Sequence, residues 1–366
     1  MGLFRWVLNG IREELVADWK ACRDDTLSDG NPASQARIDH LTAMKYSAVS
    51  GCVRVLAETK AVVPAKIYRT KDDGTREERN DIPLYDILHN EPNDEMSTYD
   101  FESQRMVSLN TGGYSVCERI QNRRGELIGL YPQKWENVRI GRNRETNRLQ
   151  YAIRSGQKWE TLDRKDVFHV VGLSFDGITG LSPIEYQAGA ILLGLNYERF
   201  GNAFYKNGAN TNLAIMHPGK LDDTAFARLK ADITKNFAGT GNTGKPMLFE
   251  DGVQLKELTI KPADAQLLEM KRFSIEDVAR WYRVPLHLLQ DLSRSTNNNI
   301  EHQAIEFVTD TIRPWLVSIE QELSFKLFSG DFFPEFLIEG LLRGDIKTRY
   351  EAYAIDVSYA YNDATG

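Results

Sequence analysis

Residues 264–299 read DAQLLEMKRFSIEDVARWYRVPLHLLQDLSRSTNNN. Leu268, Ile275, Val278, Ala279 and Tyr282 recur at helical spacing, which predicts an amphipathic helix that stops near Val284-Pro285, where proline lacks a donor and restricts its predecessor. Downstream, Asn298 as N-cap with Glu301 three residues on opens a second helix. Its apolar stripe is Ile300, Ala304, Val308, Ile312, Leu316, Ile319, Leu323 and Leu327. Between the two lies Gln290 to Asn299, a segment almost without large apolar residues. Two stiff arms therefore present one polar loop, and that loop is the candidate working part.

Composition narrows what the loop can serve. The chain has 366 residues, 42% hydrophobic and 27% charged, enough for one large core or two to three modules. A net charge of −7 argues against a general basic surface for nucleic acid, because non-specific affinity comes mainly from Lys and Arg neutralising phosphates. Any DNA contact should be local or weak. Cys22, Cys52 and Cys117 have neither zinc-site spacing nor an even count, which suits a reduced intracellular setting. No apolar run reaches a membrane span, and the start Met1-Gly2 fails the myristoylation pattern at Trp6.

Outward from the opening stretch, Leu3 to Trp19 space one helical face whose polar side is acidic, an arm better suited to protein than to membrane. A helix from Tyr46 to Lys60 leads into a strand at Ala65 to Tyr68 and a charged hairpin or loop to Asp81. Ser97 caps a helix that ends at Gly112-Gly113. Short alternating runs from Tyr114 to Val171 predict a β meander of roughly five strands. Ser182-Pro183-Ile184-Glu185 starts a helix expected to continue to Asn207-Gly208, with small residues suited to close helix approach. Then come a strand at Leu213 to Met216, a helix from Asp222 to Asn236, and strands at Met247 to Phe249 and Val253 to Ile260. Phe332 to Leu337 reads as strand and Gly344 to Ala354 as helix. The fold class is α+β.

Several patterns approach catalytic chemistry without completing it. Gly239 to Lys245 matches seven positions of a phosphate-binding P-loop, but Pro246 replaces the hydroxyl residue and a strand follows where a helix is required. Gly172 to Asp176 lacks the last glycine of a nucleophile elbow and is read as a turn. The six histidines are scattered, so no metal site and no cofactor is expected. Lys271, Arg272, Arg280 and Arg283 give the first helix a basic stripe, either a solvated face or a contact to phosphate or a neighbouring subunit. The expectation is a non-enzymatic assembly or binding protein.

Six segments together carry a family resemblance: Tyr46-Ser47-Ala48-Val49 through Pro64-Ala65-Lys66-Ile67-Tyr68, Leu88 to Asn93, Gly180 to Ile184, Phe204 to Ala209, Pro262 to Leu268 and Val284 to Leu289. In order and spacing the chain resembles the portal proteins of long-tailed double-stranded-DNA bacteriophages. The resemblance implies a dodecameric ring at one capsid vertex, assembled in the host cytoplasm, that passes DNA without sequence specificity. Its implied partners are terminase, head-tail connector proteins and the major capsid protein, with no membrane. The implied map is an N-terminal arm (1–40), an α/β wing (41–181), a stem helix (182–208), a small α+β clip (209–261) and a second stem helix (262–289). A tunnel loop (290–299), a long wing helix (300–329) and a C-terminal segment (330–366) leading to a short or truncated crown complete it. Ser293, Arg294, Ser295, Thr296, Asn297, Asn298 and Asn299 would face DNA. The rival readings are an atypical P-loop nucleotide hydrolase and a structural head adaptor without a channel.

Overall fold

The computed structural model describes residues 38–143, 145–206, 213–236, 254–257, 264–291, 297–328 and 330–342. It divides into two compact units, residues 1–188 with 278–366, and residues 189–277. Both mix helix and sheet, in keeping with an α+β class.

In the first unit the helix Ser47–Ala61 buries Val49, Cys52, Val53 and Leu56 and packs against the helix Thr98–Gly112. The second helix begins where the sequence predicts. Ser97 accepts a hydrogen bond from the Asp100 amide at 3.2 Å, and Gly113 ends the helix in the left-handed region at φ 86°. Strand β1 (Ala65–Thr70) forms a hairpin with β2 (Arg76–Glu78) and on its other edge pairs with the distant β11 (Phe332–Phe336), Ala65 opposite Phe336. Residues 65–78 and 332–336 therefore belong to one sheet.

The expected single meander is instead two three-stranded antiparallel sheets. Strands β3 (Tyr114–Gln121), β4 (Leu127–Gln133) and β8 (Val167–Val171) form one, in the order β4-β3-β8. Strands β5 (Val138–Arg142), β6 (Leu149–Ser155) and β7 (Lys158–Asp163) form the other. The sixth strand is β7, whose sequence KWETLD is too polar and too exposed to show apolar alternation. Tyr114, Val116 and Val167 from one sheet and Val138, Ile140, Tyr151 and Ile153 from the other fill the core between them. Gly113 lies where backbones cross: its carbonyl accepts from the Gly172 amide at 2.8 Å, and a Cβ on Gly180 would fall 1.8 Å from that oxygen.

Charge is also buried in the first unit, on the two packed helices. Lys60 and Arg105 are almost fully buried around Glu102, with Lys60 Nζ 2.5 Å from Glu102 Oε2 and Arg105 Nη1 at 3.0 Å. Arg105 lies 4.8 Å from the Phe168 ring centroid and Lys60 4.1 Å from that of Phe336. Burial lowers the Lys60 pKa to about 8 despite the carboxylate. Burial alone would raise the Glu102 pKa, but the charges of Arg105 and Lys60 outweigh it and lower it.

Two predicted helices depart from regularity. After Ser182, which accepts from the Glu185 amide at 3.1 Å, a four-residue turn Pro183–Tyr186 is broken at Gln187 before the helix Ala188–Lys206 begins. The long C-terminal helix runs Asn297–Glu306, widens into a π segment at Phe307–Ile312, and continues as Arg313–Leu327. Pro314 accounts for the widening. Inside a helix its ring lacks the donor and crowds the carbonyl four residues back, and a wider turn relieves both. Val308, Ile312, Leu316, Ile319 and Leu323 of the expected stripe are buried, Phe307 joins them, and Ala304 is exposed.

In the second unit β9 (Leu213–Met216) pairs antiparallel with β10 (Gln254–Glu257), the described part of the strand expected at 253–260. Asp222 caps the helix Asp223–Asn236 by accepting from the Ala225 amide at 2.6 Å. The N-terminal arm 1–37, the Gly208 end of the stem helix, the loop 239–244, the strand 247–249 and the helix 344–354 lie outside the described residues.

Candidate functional site

The first flank of the polar loop is built in three steps. The helix Asp264–Tyr282 ends as the Val284 amide donates to the Ala279 carbonyl at 2.9 Å, which puts Arg283 in the left-handed region at φ 53°. Pro285 then starts a tight turn, Leu286–Leu289, that lies against the Ser47–Ala61 helix, where a Cβ on Gly51 would meet Leu289 Cδ2 at 3.1 Å. Gln290, left-handed at φ 64°, and Asp291 close that turn by donating to the carbonyls of His287 and Leu286, each at 3.1 Å.

Three side-chain contacts fix the turn to the framework. The Tyr282 hydroxyl, buried and with its pKa pushed up by that burial, donates to the Asn110 carbonyl at 3.1 Å. The Thr311 hydroxyl, on the widened segment of the long helix, donates to the Arg283 carbonyl at 2.7 Å. His287 Nδ1 lies 2.9 Å from Gln303 Oε1, a bond in which only the imidazole can donate. The two flanks of the loop are thus tied to each other: 287 precedes it and 303 follows it.

Ser293, Arg294, Ser295 and Thr296 lie outside the described residues. Asn297, Asn298 and Asn299 are the first residues of the helix, so Asn298 sits inside the first turn and is not its N-cap. Lys271, Arg272, Arg280 and Arg283 are all exposed. In the sequence Tyr282 stood out only as a member of the apolar stripe, and His287, Gln303 and Thr311 carried no sign of a role at the loop. One signal for the widened turn was present: Val308, Ile312 and Leu316 follow four-residue steps and are all buried. Such steps drift by about 40° each on a regular helix and stay on one face more easily where a turn is underwound.

The patterns that approach catalysis have other uses. The Ser174 hydroxyl lies 2.7 Å from the Thr179 carbonyl and accepts from the Gly177 amide, while Asp176 accepts from the amides of Ile178 and Thr179. Both side chains are spent on one turn. Among the described residues no three His, Cys, Asp or Glu side chains are grouped to hold a metal, and no helix is long and apolar enough to cross a membrane. The P-loop look-alike at 239–245 lies outside the described residues.

Comparison with known proteins gives a consistent set of likenesses. A family model described as phage portal protein matches residues 47–360. The probable portal protein of Streptomyces phage phiC31 is 28% identical over 330 residues, covering 86% of this chain and 71% of its own. The crystal structure of an HK97 family phage portal protein from Corynebacterium diphtheriae has a similar fold, with a TM-score of 0.61 at 18% identity. The match covers 82% of this chain and 96% of that one. The neck of a native gene transfer agent particle computed with C12 symmetry contains a chain at TM-score 0.60 and 19% identity, with 86% and 89% coverage.

Proposed function

This chain belongs to the phage portal protein family, and from that premise we propose that twelve copies form a ring at one capsid vertex through which double-stranded DNA is packaged and ejected. The twelvefold count is supported by the C12 symmetry of the similar neck chain. In a closed ring one face of each subunit meets a different face of the next. The proposed map is wing at 41–181 with the long helix 300–329, stem at 182–208 and 262–289, clip at 209–261 and tunnel loop at 290–299. Terminase, head-tail connectors and the major capsid protein dock on the ring, which itself has no enzymatic role.

The observation that carries the mechanism is the double mounting of the loop, with His287 bonded to Gln303 across it. A pore that moves DNA must touch the duplex without gripping it. Every pore-facing residue is multiplied by the subunit number, so a cluster of lysines and arginines would bind phosphates tightly and in a salt-sensitive way. Ser293 to Asn299 supply one cation, Arg294, among hydroxyls and amides. Contacts of that kind are weak and exchange readily. Electron microscopy of the purified chain tests the ring. A closed ring with a hole wide enough for duplex DNA is expected, and a solid or monomeric particle would overturn the proposal.

A further inference from the structure

Away from the loop, the β5–β6 hairpin, the end of β7 and strand β8 enclose a cleft of about 730 Å³. Arg142, Arg148, Arg164 and Lys165 line it, against two carboxylates, Asp163 and Glu322. His169, also in its lining, is 6% exposed. Its Nδ1 is 3.0 Å from the hydroxyl of Tyr151. Its Nε2 is buried without a hydrogen-bond partner.

A hydroxyl both donates and accepts, so the Tyr151 contact fits either tautomer of His169. Burial lifts the Tyr151 pKa to about 12, so the phenol keeps its proton and is able to donate it to Nδ1. Burial, together with the positive charges of Lys326 and Arg164, lowers the His169 pKa to about 3, so the ring is neutral. With Nδ1 accepting, the single ring proton is on Nε2, a buried N–H donor without a hydrogen-bond partner on a residue that lines the cleft. A buried donor without a partner is costly, and an acceptor that enters the cleft removes the cost. The cations select an anion. Asp163 and Glu322 bring two carboxylates against these four cations, so the lining keeps an excess of positive charge.

We propose that this cleft binds a small phosphate-class oxyanion, with His169 Nε2–H as the buried donor and Arg142, Arg148, Arg164 and Lys165 as the surrounding cations. A phosphate offers several acceptor oxygens to donors that approach from different sides, which suits a fork of arginines better than a single point acceptor does. The same chemistry occurs in free phosphate and in the backbone of DNA.

The experiment uses the full chain with inorganic phosphate as probe. Binding is followed by calorimetry and by the thermal midpoint in phosphate against chloride at equal ionic strength. A saturable rise in midpoint is expected. His169→Phe should weaken phosphate binding by about tenfold, the loss expected for one hydrogen bond to an ion. Arg148→Gln, an exposed change that cannot unfold the core, should weaken it severalfold. A short duplex that fails to compete with phosphate assigns the site to the free ion, and one that competes, with the same two variants weakened, assigns it to the backbone. Equal midpoints in phosphate and chloride, or both variants binding phosphate like the parent, would overturn the proposal.

Discussion

The hydroxyl of Thr311 donates to the carbonyl of Arg283 across 2.7 Å, joining the widened turn of the long helix to the left-handed end of the helix before the polar loop. Two irregular pieces of backbone therefore stabilise each other. The π segment places a hydroxyl at a carbonyl that the end of the other helix exposes.

Thr311→Val keeps the shape and removes that donor from a part-buried carbonyl. It should cost about 1–2 kcal/mol in urea unfolding, and Thr311→Ser should recover most of it. A valine variant that unfolds like the parent would mean that the two irregular segments are not coupled.

The glycine crossing gives a sharper test of backbone packing. A Cβ on Gly180 would lie 1.8 Å from the Gly113 carbonyl oxygen, whereas one on Gly201 meets nothing within 4 Å. Gly180→Ala should destabilise by about 3 kcal/mol as strands and turn are forced apart, and Gly201→Ala should not destabilise at all. Comparable midpoints for the two variants would contradict the crossing.

Lys60 makes a prediction in pH. Its pKa falls from 10.5 to about 8 on folding, so between those values the unfolded chain holds a proton that the folded chain has released. Stability gains from this group as pH rises through that window, by at most about 1.4 kcal/mol per pH unit, and the contribution is flat below it. Lys326, also lowered to about 8, acts in the same direction and is present in both proteins of the comparison. The difference in unfolding free energy between the parent and Lys60→Met should therefore shift in favour of the parent between pH 7.5 and 9.5. A difference independent of pH would show that Lys60 stays charged in the core.

Much of this architecture was legible in the chain. Ser97 with Asp100 and Gly113, and Ser182 with Pro183, mark helix ends by local hydrogen bonding, and local rules are readable in one sequence. Pairing between distant segments is not: β1 with β11, or β3 with β8, depends on which edges meet, and no local signal encodes it. The polar composition of the loop pointed to Ser293 to Asn299, while its mount at Thr311, His287 and Gln303 did not stand out. Each of those residues is ordinary by itself and acquires a role only from the partner that the fold brings near.

In the proposed ring the polar loop serves DNA and is not needed for assembly. Because Asn297 to Asn299 already belong to the helix, the decisive variant deletes only Ser293 to Thr296, and DNA packaging and retention are measured in particles that carry it. Normal rings by electron microscopy with packaging or retention strongly reduced is the predicted result. Rings that package and retain DNA as the parent does would contradict the account.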